Sequence, residues 1–118
     1  PKVALDMSTA VMNGDLLYGF SHYNSGQLFC LNPDNGEILW QSRGRSGQNV
    51  MFLAIPGHTL ALINDGELKI FSAAGADTRQ VASYRVAESP TWAPPVVLSD
   101  GFLIKDREFL TRWKFNNN

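Results

Sequence analysis

Short apolar runs follow one another along the chain, each cut off by Gly, Asn, Asp or Pro. Asn13-Gly14-Asp15, Pro56-Gly57-His58 and Ser99-Asp100-Gly101 each open such a run, and Leu17, Leu60 and Leu103 stand 43 residues apart. A second series keeps nearly the same step. Gly26-Gln27-Leu28-Phe29-Cys30-Leu31 is answered by Gly66-Glu67-Leu68-Lys69-Ile70-Phe71 and more loosely by Glu108-Phe109-Leu110-Thr111-Arg112-Trp113. A repeat of about 40–45 residues built from short strands is what a β-propeller blade of four antiparallel strands requires.

In chain order, strands are predicted over residues 9–12 and 16–20, flanking an Asn-Gly turn that suits a tight hairpin. Strands 27–31 and 37–42 follow, joined by Asn32-Pro33-Asp34-Asn35-Gly36, and the four make one blade over 9–42. The second blade, 50–86, reads 50–55, 59–63, 67–72 and 80–86. Between its last two strands, Ala73-Ala74-Gly75-Ala76-Asp77 has alanine propensity for a short helix, but its breakers and the repeat register favour a loop. An incomplete third blade, 92–115, begins at Trp92, continues through 102–105 and 109–115, and lacks a fourth strand. The fold class is therefore all-β, a propeller fragment of nearly three four-stranded antiparallel blades. Residues 2–7 are expected either as the outer strand of a preceding blade or as the lead-in to the first. Fewer than three full blades cannot close a ring, so apolar faces at both ends need cover.

Composition narrows the function. The 118 residues are 44% hydrophobic and 11% aromatic, enough for one core. A net charge of -1 argues against a nucleic-acid partner, and Arg43-Gly44-Arg45 reads as a solvated loop. No run of about 18 apolar residues offers a membrane span. The chain begins at Pro1, which suggests a processed product or a piece of something longer. The single Cys30 has no intrachain partner and reads as a small buried hydrophobe in a strand.

Cys30-Leu31-Asn32-Pro33-Asp34-Asn35-Gly36-Glu37-Ile38-Leu39-Trp40 resembles the tryptophan-docking motif of the pyrroloquinoline-quinone-like propeller repeats. Asn32, Gly36 and Trp40 fit its Asp/Asn, Gly and Trp positions. Cys30 stands where alanine is usual, Asn35 where threonine is, and Glu37 where lysine is. The tryptophan packs on the neighbouring blade and the glycine permits the turn that points it there. Ser89-Pro90-Thr91-Trp92-Ala93-Pro94-Pro95, Gly101-Phe102-Leu103-Ile104-Lys105-Asp106 and Leu110-Thr111-Arg112-Trp113 are similar to the final blade of bacterial propellers of this kind, which makes Trp113 a further docking residue. The second blade has no Gly or Trp at the docking positions and offers Tyr84 after a longer turn. Trp92 has two readings, facing the axial funnel or buried between blades, with burial favoured.

The resemblance implies quinone and calcium only in a dehydrogenase parent, where a catalytic aspartate and often a vicinal cysteine pair accompany them. With one cysteine and no ligand cluster, neither cofactor is expected in this fragment. His22 and His58 lie beside turns 36 residues apart and read as loop histidines, while Asp65, Asp100 and Asp106 read as turn formers. Gly44-Arg45-Ser46-Gly47 lacks the spacing of a nucleophile elbow. No catalytic or metal-binding residue is assigned. The expected function is a scaffold or binding module from the C-terminal part of a larger propeller, as in family members without cofactor. Two alternatives stand beside it: part of a quinone-dependent dehydrogenase whose site lies in absent blades, or a small subunit that self-associates into a ring. Partners would be the remaining blades or other copies of the chain, and the resemblance alone suggests a periplasmic or secreted setting.

Overall fold

The computed structural model describes residues 3–5, 8–74 and 77–115. Three antiparallel sheets follow one another along the chain. The first contains β1 (Val11–Asn13), β2 (Leu16–Ser21), β3 (Gln27–Asn32) and β4 (Glu37–Gln41). The second contains β5 (Val50–Ile55), β6 (His58–Ile63), β7 (Glu67–Ala74) and β8 (Asp77–Arg85). The third has β9 (Val96–Leu98), β10 (Gly101–Lys105) and β11 (Leu110–Lys114), with each strand paired to its sequence neighbour.

Three two-residue hairpins set the register. Asn13 faces Leu16, Ile55 faces His58, and Leu98 faces Gly101. The first step of the repeat is therefore 42 residues and the second 43. This corrects the sequence alignment: Leu60 answers Tyr18, and Leu17 answers Thr59. The distinction matters because a slip of one residue moves a side chain to the opposite face of its sheet. The β3 and β7 strands keep the 40-residue step, since Leu17 faces Leu31 and Thr59 faces Phe71. Both blades also carry a bulge at the same place, between Cys30 and Leu31 against β4 and between Ile70 and Phe71 against β8.

With the register fixed, two kinds of row cross each sheet. One runs Val11, Tyr18, Cys30, Trp40 in the first blade, Leu53, Leu60, Ile70, Ala82 in the second, and Val96, Leu103, Arg112 in the third. It faces the following blade. The other row runs Met12, Leu17, Leu31, Ile38, then Ala54, Thr59, Phe71, Gln80, then Val97, Phe102, Trp113, and faces the preceding blade. Two cores result. Tyr18, Phe20, Leu28 and Cys30 meet Val50, Ala61, Ile63 and Phe71 between the first and second blades. Leu60, Leu62 and Leu68 meet Ile104 between the second and third, with Val86 and Ala87 at the side. The middle blade is thus apolar on both faces, which is why β6 lacks the alternation of a half-exposed strand and reads buried from Thr59 to Ile63.

The links between blades repeat as well. Gly26 and Gly66 have φ of 102° and 93°, and a Cβ on either would come within 2.3 Å of a backbone oxygen, that of Gly47 or of Ala87. Their carbonyls accept from Ser46 N and Val86 N, each at 2.9 Å, so one glycine per blade admits the incoming inter-blade segment. Buried Thr91 adds a tie to the middle blade, its hydroxyl donating to Ile63 O at 2.8 Å.

Three expectations need correction, and a fourth, left between two readings, is narrowed. Ala73, Ala74 and Asp77 are strand rather than loop: β7 runs to Ala74 and β8 starts at Asp77, with Ala74 facing Asp77, because cross-strand pairing there outweighs the local breakers. Gly75 and Ala76 lie outside the described residues. The third blade's first strand starts at Val96 rather than Trp92, since Pro94 and Pro95 have no N–H for a ladder. The first blade's opening strand starts at Val11 rather than residue 9. Finally, Leu5 bridges Ser21, and Ala4 O accepts from His22 N, on the β2 edge that β1 occupies further along. Of the two readings of residues 2–7, the described part fits the lead-in to the first blade; Lys2, Asp6 and Met7 lie outside the described residues.

Candidate docking faces and the groove between the second and third blades

The segment from Cys30 to Trp40 divides into a turn and a cross-strand pair. In the turn, Asn32 Oδ1 accepts from Asp34 N at 2.9 Å, Asn35 Oδ1 accepts from Glu37 N at 2.9 Å, and Gly36 N donates to Asn32 O at 2.8 Å. On the strands, fully buried Cys30 faces half-buried Trp40. The Trp40 ring lies 5.0 Å from that of Phe71 in the next blade, tilted by 58°. At the far end of the same junction Asn13 Nδ2 stands 2.7 Å from His58 O and 3.1 Å from Ile55 O.

The second junction is built differently, and here the structure departs from the sequence assignment. The position answering Trp40 is Ala82, which faces Ile70 just beyond the bulge; Tyr84 lies two residues on, facing Leu68, and is 56% exposed. Trp113 lies in the run 109–115 that the sequence reads as the last strand of its blade. It faces Phe102 on the third strand of its blade, the place that Phe71 holds in the second, and its indole donates to Val86 O at 3.0 Å. Sequence reasoning missed Ala82. The signal lay in Val81, which answers Leu39 as the extra residue of the bulge, but a bulge is invisible without the ladder.

Between these walls lies a cavity of about 390 Å³, lined by Leu68, Ile70, Tyr84, Phe102, Trp113 and Phe115 with parts of Arg85, Val86 and Lys114. Phe102 and Phe115 meet edge to face at 5.0 Å. Trp92, expected to be buried between blades, is instead 49% exposed in the loop before β9, where Pro94 and Pro95 keep it out of the strand. It lines a smaller cavity of about 270 Å³ with Lys105, Asp106 and Arg107.

The outer faces carry further exposed apolar groups. On the third blade's far side lie Val96 and Leu110, 51% and 66% exposed, with half-buried Leu98 and Leu103; on the first blade's far side lie Met12, Leu17, Leu31 and Ile38. Charges there are local. One Arg112 nitrogen donates to both Asp100 oxygens at 2.9 and 3.0 Å, and this hydrogen bond holds the Asp100 carboxyl below its ordinary range. Asp106 is held low chiefly by the Phe109 backbone N–H, with that of Glu108 and the Ser89 hydroxyl. The Asp106 carboxylate thus holds a turn, and the Asp100 carboxylate a cross-strand ion pair. Among the described residues no group of three or more His, Cys, Asp or Glu side chains is placed to hold a metal, and no helix is long and apolar enough to cross a membrane.

The arrangement of sheets is that of pyrroloquinoline-quinone-like propellers over about nine-tenths of the chain. Similarity to BamB from Moraxella catarrhalis has a TM-score of 0.64 at 18% identity, covering 90% of this chain and 30% of that one. Similarity to a europium-containing methanol dehydrogenase has a TM-score of 0.61 at 14% identity, covering 89% of this chain and 22% of that one. The chain therefore spans less than a third of either propeller. No family model matches the sequence, and no curated protein does.

Proposed function

We propose that the chain is a non-catalytic binding and scaffolding module, a run of blades whose two outer faces dock against further blades of a longer propeller or against other copies of itself. The supporting observation is that both outer faces repeat the pattern of the two buried junctions. Leu103 occupies the row that is buried as Tyr18 and Leu60 in the other blades, and Leu17 occupies the row that is buried as Thr59. Within the module, Trp40 docks the first blade on the second. Replacing Val96 and Leu110 together by lysine would charge the third blade's open face without touching either core; the solution mass should fall while the β-sheet circular dichroism stays unchanged. An unchanged mass would contradict the proposal.

A dehydrogenase section would need a quinone and calcium set, and among the described residues no group of three or more His, Cys, Asp or Glu side chains is placed to hold a metal. Calorimetry with pyrroloquinoline quinone and calcium is expected to show no saturable heat at micromolar concentrations, and such a heat would overturn the non-catalytic reading.

A further inference from the structure

The third blade stops one strand short of the pattern that the first two complete. Its sheet runs β9, β10, β11, whereas β4 covers β3 and β8 covers β7 in the blades before it. Two backbone bonds fix which groups of β11 are left over. Asp106 N donates to Phe109 O at 3.0 Å and Phe115 N to Asp100 O at 2.7 Å, in the same register as the strand between them, so Thr111 and Trp113 also exchange their bonds with β10. Alternate residues of an antiparallel ladder point their N–H and C=O the other way. These are Leu110, Arg112 and Lys114, and among the described residues no strand lies on that side. In the first blade the matching carbonyl is taken, since Leu28 O accepts from Ser42 N at 2.8 Å.

Beside the open edge lies the groove of about 390 Å³, between Leu68, Ile70 and Tyr84 of the second blade and Phe102, Trp113 and Phe115 of the third. A strand laid on β11 would turn the side chains opposite Thr111, Trp113 and Phe115 into this groove and those opposite Arg112 and Lys114 away from it. Arg85 and Lys114 reach the groove as well, and no carboxylate lines it. Asp100 offsets Arg112, which leaves the charge of Lys114 over. The same charges disfavour a second copy of the edge as the occupant. In the register that overlaps all of β11, a two-fold antiparallel pair sets Arg112 directly against its copy, and like charges so placed are destabilising. Charged side chains, lysine above all, are how exposed edges avoid pairing with themselves.

We propose that the β11 edge receives an extended strand of another polypeptide, antiparallel to β11, with apolar side chains at the alternate positions that enter the groove and carboxylates at those opposite Arg112 and Lys114. The proposal rests on the binding-module reading and gives it a partner chemistry. The test is NMR titration of the isotope-labelled full chain with a blocked peptide of alternating valine and glutamate, long enough to span the five residues of β11, and with its valine and lysine counterpart. The acidic peptide should shift the Leu110, Arg112 and Lys114 amides saturably and slow their hydrogen exchange about tenfold or more, while Thr111 and Trp113, already bonded to β10, change little. The lysine peptide should bind about tenfold more weakly, and Lys114→Glu should reverse that order. An acidic peptide N-methylated at its glutamates cannot donate to the edge and should not bind, an arm that needs no variant to fold.

No saturable shift, equal binding of the lysine or N-methylated peptide, or a shift without slowed exchange at the three edge amides overturns the proposal. So does slowed exchange that follows protein concentration with no peptide added, which would make the occupant a second copy of the chain. None of these outcomes alters the fall in mass expected when the third blade's open face is charged, so failure of the edge is distinguishable from failure of the binding-module reading.

Discussion

Trp40→Ala probes the contact that joins the first two blades. A tryptophan buries about 150–250 Å² on folding, and at about 25 cal/mol per Å² the upper estimate is about 6 kcal/mol. Trp40 is half-buried on an outer strand, where water can enter the space left behind, so the cavity penalty is small and the transfer gain is partial. Loss of the tilted ring contact with Phe71 adds about 0.5–1.5 kcal/mol. The expected cost is about 3 kcal/mol, or a fall in melting temperature of about 10 °C for a domain of this size. Urea unfolding followed by far-UV circular dichroism reads the free energy; Trp40→Phe should recover more than half of the loss. Tyr84→Ala, at the exposed position outside the docking register, should cost less than about 0.5 kcal/mol. A Trp40→Ala cost no greater than that of Tyr84→Ala would refute the register argument.

Gly66→Ala should destabilise by about 2 kcal/mol or more, because it combines a positive φ with a clash against a backbone oxygen that has no room to shift; thermal unfolding within about 2 °C of the parent would contradict the role given to this glycine. Asp106 has a depressed folded-state pKa, so its contribution to stability is present above the unfolded carboxylate value of 3.8 and is lost as pH falls through the lower folded value. Denaturation midpoints for Asp106→Asn should therefore fall less steeply below pH 4 than those of the parent, and equal slopes would count against that assignment.

Most of the fold was legible because hairpin turns announce themselves. Gly14-Asp15, Pro56-Gly57 and Ser99-Asp100 each form a two-residue connection, and the apolar runs between them have strand lengths. What was not legible was register. The equal spacing of Leu17, Leu60 and Leu103 is a coincidence of side-chain type, since the first of these faces the opposite way from the other two. The same limitation hid the second junction's counterpart of Trp40. Finding Ala82 opposite Ile70 requires counting through a bulge, and Tyr84 drew the assignment because it was the nearest aromatic. Trp92 was misjudged for a related reason: a large apolar side chain favours burial on average, but its place is fixed by a loop that ends in two prolines.

The claim that both end faces are built to be covered is tested most directly by light scattering on the isolated chain at tens of micromolar. The row that buries Tyr18 and Leu60 continues onto the open third blade as Val96 and Leu103, and Leu110 adds to that face. Covering such surface gains about 25 cal/mol per Å². A mass at least twice the 13.1 kDa of one chain is predicted. A monodisperse 13.1 kDa species, with no intermolecular contact above about 800 Å² in a crystal, would contradict it and show that the chain closes its own core.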